Sequence, residues 1–207
     1  MNNVRLNFIN RSNEANNSEI VIYQKNMSEG LNNMPVAWKV IRNCGRLDNH
    51  PFTFSTNYQV SAGDSFGNYT PLLMANTGMA FEMIKDNSGD VLQQSSSPTS
   101  NPNTIEIKNS LSQGAISGGI YRDEKLLAIK TNIVPEEKAV FEFQPKIFIG
   151  VASSVEEGQV MNSAIISSIN TEISLFGISS ADIVMTGGGT GANATPFEFT
   201  LENIVSA

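Results

Sequence analysis

The sequence predicts an all-β protein, an antiparallel β-sandwich of Greek-key or jelly-roll type with about a dozen strands and at most a short helix. Three observations carry this. Apolar residues recur with period two rather than 3.6. The apolar runs are short and rich in β-branched and aromatic residues. Clusters of Asp, Asn, Ser and Gly separate them, the residues that tight turns require.

Phe52, Phe54, Thr56, Tyr58 and Val60 alternate with Thr53, Ser55, Asn57, Gln59 and Ser61, which predicts one continuous half-buried strand. The same alternation marks Val4, Leu6 and Phe8, then Ile105 and Ile107, then Phe197, Phe199 and Leu201. Further strands are expected at residues 19–25, 80–85, 126–131, 139–143, 146–152, 169–176 and 181–186. The turns at 64–68, 86–90 and 121–125 read as connections between neighbouring antiparallel strands. Asn33 and Pro35 ahead of residues 36–43, with Gly45 behind, would also start and stop a helix. Val36, Val40, Ile41 and Trp38 favour a strand there. Residues 93–103, with three consecutive serines and two prolines, read as an exposed loop. No internal repeat is legible, and the expectation is one domain over residues 1–207.

Thirteen Lys and Arg against 20 Asp and Glu give a net charge of -7. No basic run is present to neutralise a phosphate backbone, so nucleic acid is not an expected partner. An anionic membrane surface has nothing to attract it, although apolar insertion needs no basic patch. The opening Met1-Asn2-Asn3-Val4-Arg5-Leu6-Asn7 has neither the charged nor the apolar region of a signal peptide. With the lone Cys44, this places the chain in the cytoplasm as synthesised, or outside by a non-classical route. Asn-x-Ser/Thr matches begin at Asn10, Asn16, Asn26, Asn68 and Asn193, but a chain this rich in Asn, Ser and Thr produces them by composition.

Candidate chemistry is sparse. His50 is the only histidine and Cys44 the only cysteine, too few for a zinc site of His and Cys ligands. As a nucleophile and base they would have to meet across the turn at 45–49; the plain reading is a buried thiol and a loop histidine. Gly187-Gly188-Gly189-Thr190-Gly191 lacks the lysine and following helix of a phosphate loop and reads as a hairpin connection. Asp86, Asn87, Asp90 and Asp64 could each offer calcium an oxygen, but without EF-hand spacing they read as turn formers. Glu136-Glu137 and Glu156-Glu157 are acidic pairs at loop positions, where solvated charge is the ordinary reading. No catalytic residue, metal or cofactor is expected. Residues 160–185 carry only Glu172 and Asp182 as formal charges and are dense in Ile, Ser and Thr. They read as two core strands, as a low-charge subunit surface, or as a membrane-inserting hairpin.

Phe8-Ile9-Asn10-x-Ser12, then Val21-Ile22-Tyr23-Gln24, then Ala37-Trp38 is similar to the opening of a bacterial rhizosphere-expressed protein family. The resemblance covers about a fifth of the chain and implies an abundant β-rich bacterial protein without assigned catalytic residues. It makes Trp38 and Tyr23 core anchors, as their aromatic bulk also does. The function expected is that of a non-enzymatic structural or interaction protein, self-associating through strand surfaces as a homo-oligomer. A lectin-like, glycan-binding module is the first alternative, with Tyr58, Tyr69, Asn68 and Asp64 as its ligand-binding residues. A pore-forming or membrane-active protein is the second.

Overall fold

A computed structural model describes residues 3–14, 17–28 and 35–207. The Asn16 glycosylation match and the Asn33 helix signal lie outside the described residues. The strands in chain order are β1 (Val4–Asn10), β2 (Glu19–Tyr23), β3 (Lys39–Ile41), β4 (Asn49–Phe54), β5 (Tyr58–Gly63), β6 (Leu73–Ala75), β7 (Ala80–Asp86) and β8 (Gly89–Gln94). They continue with β9 (Ile105–Asn109), β10 (Ile116–Arg122), β11 (Lys125–Ile133), β12 (Lys138–Phe141), β13 (Lys146–Ala152), β14 (Thr171–Ser174), β15 (Ile178–Gly188) and β16 (Thr195–Ser206). Among the described residues one α-helix, α1 (Ser163–Ser168), lies between β13 and β14, and a 3-10 turn (Gly191–Asn193) lies between β15 and β16. The protein is therefore all-β. No helix among the described residues is long and apolar enough to cross a membrane.

The strands form four sheets of four rather than the two of a single sandwich, and the chain divides into two compact units. Unit 1 comprises Met1–Gln24, Pro35–Thr56 and Pro145–Ala207. It holds one sheet in the order β16-β15-β1-β4 and a second in the order β14-β13-β2-β3. Trp38, just ahead of β3, meets Phe52 and Phe54 of β4 edge-on at 6.4 and 6.0 Å, which ties the two sheets together. The second sheet is covered on both faces. Ile20, Ile22, Ile147 and Ile149 are buried on one side. Val21, Tyr23 and Phe148 are buried on the other under Val155, Met161 and Ile169, with Ile165 and Ile166 of α1 packed against them.

Unit 2 comprises Lys25–Met34 and Asn57–Gln144, with sheets β11-β10-β5-β6 and β12-β9-β7-β8. Its sheets pack face to face through β9 and β10. A methyl group added at Gly118 would lie 3.2 Å from Ile133 and 3.3 Å from Ile107. Two adjacent glycines, Gly118 and Gly119, conceal β10 from a reading based on β propensity. Strands β6 and β8 also escape the sequence reading, one being three residues long and the other starting inside a predicted turn.

Two expectations are overturned. The alternation from Phe52 to Val60 is not one strand: it breaks at residues 55–57, where the chain leaves unit 1 for unit 2. Residues 160–185 are not a hairpin either. Asn162 caps α1 by accepting from the Ile165 amide, and the strands that follow, β14 and β15, belong to different sheets. Nor is the pairing purely antiparallel, since β1 runs parallel to β15 and β7 parallel to β9.

The two units share one connectivity. Adding eight to each strand number of unit 1, and counting past sixteen from one again, turns its sheets into those of unit 2, parallel pair included. The chain is a tandem repeat of eight strands, β1–β8 and then β9–β16, that its sequence conceals. Each unit takes half its strands from each repeat.

Candidate functional site

The site is built at the edge of unit 2, on the connection from β5 to β6. Asp64 follows β5 with a carboxylate that its own loop holds: Oδ1 accepts from the Phe66 and Asn68 amides at 2.8 and 2.9 Å, and Oδ2 from Asn68 Nδ2 at 2.8 Å. Gly67 closes the turn at φ +88°, a conformation that favours glycine. These bonds, the one from the Asn68 side chain foremost, hold the Asp64 carboxyl below its ordinary pKa. The consequence is geometric: the loop holds Phe66 out at 89 % exposure. Tyr69 lies over Gly63, where an added methyl would approach its ring to 2.6 Å.

Asp64, Asn68, Tyr69 and Thr70 form one wall of a cleft of about 420 Å³. Leu73 of β6 and Met83 and Leu92 of the opposing sheet supply an apolar floor, and Asp90 of β8 adds a second carboxylate at the rim. Three of the four residues singled out from sequence thus converge. Tyr58 does not: it stacks on Phe143 at 5.9 Å, with the guanidinium of Arg122 5.0 Å from its ring.

Arg122 is the functional-looking residue that the sequence reading missed. Within the sequence it belongs to a charged turn, yet it is 1 % exposed. Burial drives its pKa down, and Tyr58 and Asp123 oppose that shift. Nothing in the local pattern distinguishes it from Lys125 nearby.

The remaining candidates have structural occupations. Burial and Asp48 push the Cys44 thiol up to about 11, which keeps it protonated and a poor nucleophile. His50 is a residue of β4 opposite Phe8, not a loop residue, and its Nε2 is buried without a hydrogen-bond partner. Asp86 accepts from the Ser88 amide and hydroxyl and from the Gly89 amide, so it shapes the β7–β8 turn. Glu136 pairs with Lys108 at 2.6 Å, and Glu157 accepts from the Val40 amide. The glycine run at 187–191 joins antiparallel β15 and β16, and Gly188 lies where a methyl would strike the Phe197 ring. No group of three or more His, Cys, Asp or Glu converges among the described residues.

In unit 1, Val4, Phe54, Leu175, Phe176 and Ile178 line an apolar hollow of about 220 Å³. Beside it the edge strand β16 ends with Ile204 and Val205 exposed, and Phe176 is 74 % exposed. The residues resembling the rhizosphere-expressed family, Ile9 excepted, are buried in β1, β2 and the approach to β3, so they speak to packing. No protein-family model matches the chain, and no match was found among curated proteins or solved structures.

Proposed function

We propose that the protein is a non-enzymatic interaction protein that self-associates through the outer edge of β16. The observation that carries this is the edge itself. β16 has twelve residues, the most of any strand described, and its outer side has no neighbour in the sheet among the described residues. Proteins ordinarily keep edge strands short or blunt them with proline and charge. β16 follows that rule as far as Glu202, with Pro196 and Glu198 before it. Beyond Glu202 it presents Ile204 and Val205, and Phe176 is exposed in the same unit. A second copy adding a strand there gains main-chain hydrogen bonds and covers those side chains. Light scattering across a concentration series is the test. A concentration-dependent oligomer that Ile204→Lys with Val205→Lys returns to monomer is expected, and a wild-type monomer throughout overturns the reading.

A second reading has its own support. The cleft formed by Tyr69, Asn68 and Thr70 over an apolar floor suits a glycan, which combines an apolar ring face with hydroxyls. Asp64 and the Asn68 Nδ2 bonded to it are spent on the loop, so the Asn68 side-chain oxygen and Asp90, which also pairs with Lys85 at 3.7 Å, are the groups that would face a ligand. A glycan array with no signal, or signal unaltered by Tyr69→Ala, removes it. With residues 160–185 divided between two sheets, no observation favours the membrane-active reading.

A further inference from the structure

We infer that unit 1 also forms between two copies of this chain, with β13–β16 of one copy completing β1–β4 of the next; the inference rests on the self-associating reading above and specifies its mode. Unit 1 is discontinuous. β1–β4 brings the pairs β1–β4 and β2–β3, β13–β16 brings β13–β14 and β15–β16, and the strand pairs that join the two quarters are β1–β15 and β2–β13, with single bridges at Asn13–Gly188 and Val36–Val160. Unit 2 is assembled the same way, by β7–β9 and β5–β10. Every strand pair joining quarters is thus a pair between repeats.

The equivalence of the repeats reaches individual atoms. Asn10 ends β1 and Asn109 ends β9, both buried. The Asn10 amide donates to the Asp48 carbonyl and its own carbonyl accepts from the Leu47 amide; Asn109 does the same with Glu137 and Glu136. Asn10 Nδ2 donates to the Cys44 carbonyl, and Asn109 Nδ2 to those of Gly114 and Ile133. Leu47 and Glu136 are both left-handed, at φ 72° and 69°, as are Asn43 and Asn132, at 52° and 56°. Asn43, Phe52 and Phe54 recur at the same spacing as Asn132, Phe141 and Phe143, and Ile22-Tyr23 recurs as Ile120-Tyr121. A chain made of two such repeats already joins its units by exchange of halves. A second copy presents the same complementary quarter, and exchange of an identical element is a low-cost route to association.

The connections favour one direction. Residues 26–28 hold the β2–β3 connection to unit 2: Met27 N donates to Glu142 O, and Asn26 bonds Val140 O and Glu142 N. The chain thus passes between β1–β4 and unit 2 at residues 25–28 and again at 55–57, but into β13–β16 once, at residues 142–145, so β13–β16 is the quarter donated. A connection that short is the kind that invites exchange. Within one chain the quarters meet at an effective concentration on the order of millimolar, so exchange grows with protein concentration during folding. Because each chain can donate one quarter and accept another, the product grows head to tail.

Two full-length variants on a Cys44→Ser background test this, one with Arg5→Cys and the other, heavy-isotope labelled, with Ser180→Cys. Positions 5 and 180 are opposite each other in the β1–β15 ladder. Both strands are interior to their sheet, so docking of outer edges cannot bring the two cysteines together. The variants are unfolded, mixed, refolded at high concentration and treated with a short bis-maleimide. A labelled–unlabelled crosslink in several-fold excess over a mixture of separately refolded proteins is expected. Glu19→Cys with Ala152→Cys, opposite each other in the β2–β13 ladder, repeats the measurement if either first variant fails to fold. Oligomers by light scattering with crosslinking at the control level overturn exchange and leave edge docking standing. Monomers with no crosslink overturn both.

Discussion

Gly150 and Ser61 hold corresponding places in β13 and β5, each opposite the second residue before the Tyr of β2 or β10. In unit 1 a methyl at Gly150 would lie 2.6 Å from the Ile169 backbone, because the chain around α1 crosses the sheet there. In unit 2 the place is open enough for a serine, whose hydroxyl donates to the Thr70 carbonyl at 2.8 Å. Gly150→Ser should therefore cost about 1–3 kcal/mol in urea unfolding, the usual consequence of forcing atoms into a filled site. Tyr58→Phe removes a hydroxyl that supports the buried Arg122 charge and should cost about 1–3 kcal/mol. The Asp64 carboxyl, held low by its loop, stabilises that loop above the ordinary carboxylate range and stops doing so as pH falls through its lowered folded value. Protection of the Phe66 and Asn68 amides, taken against the intrinsic exchange rate at each pH, should fall at acid pH, and Asp64→Ala should show the same loss of protection at neutral pH. The convergence of Asp64, Asn68 and Tyr69 was legible because one short loop carries all three. The role of Arg122 was not, since its burial is set by strands distant in the chain.

Strands whose apolar and polar residues alternate were the easiest elements to read. β1, β4, β9 and β12 present apolar faces with period two, and period two survives wherever one face of a sheet is open or polar. β13 was located to the residue from its unbroken apolar run. The failures have separate causes. Two glycines hid β10. The cap at Asn162 was outweighed by the isoleucines around it, and α1 is only six residues long. The 52–60 alternation is real in both halves, but the break at 55–57 follows from which unit each half joins. The buried asparagines at the ends of β1 and β9 are the element-scale feature with most to lose. Each is a bracket of backbone bonds that no apolar residue supplies, and removing one leaves buried carbonyls without a donor. Asn109→Ala, which frees two carbonyls, should lower stability by about 2–4 kcal/mol and Asn10→Ala, which frees one, by about 1–3 kcal/mol, read from thermal or urea unfolding.

At the scale of the molecule, the exchange of halves makes the connection between repeats dispensable once folding is complete. Residues 95–104, between β8 and β9, are largely exposed. A protease site inserted there and cut in the folded protein should leave β1–β8 and β9–β16 together as one species by native mass spectrometry. They are held by β1–β15, β2–β13, β7–β9 and β5–β10. Separation of the two pieces without denaturant would show that those pairs do not hold the repeats.

Composition, alternation and turn residues by themselves determined that the chain is β-rich, where most strands lie, and that one loop of unit 2 gathers Asp64, Asn68 and Tyr69. These are local properties: side-chain period, backbone preference and turn chemistry act over a few residues. The tertiary structure alone decided the number of sheets, the two parallel pairs, the burial of Arg122 and the repeat. Few identities survive between the repeats, among them Asn, Phe and Tyr at scattered positions, because a sheet position demands only size and polarity of its residue. What the repeats preserve is the order of strand pairing, and that is set by contacts between residues far apart in the chain, which no local pattern records.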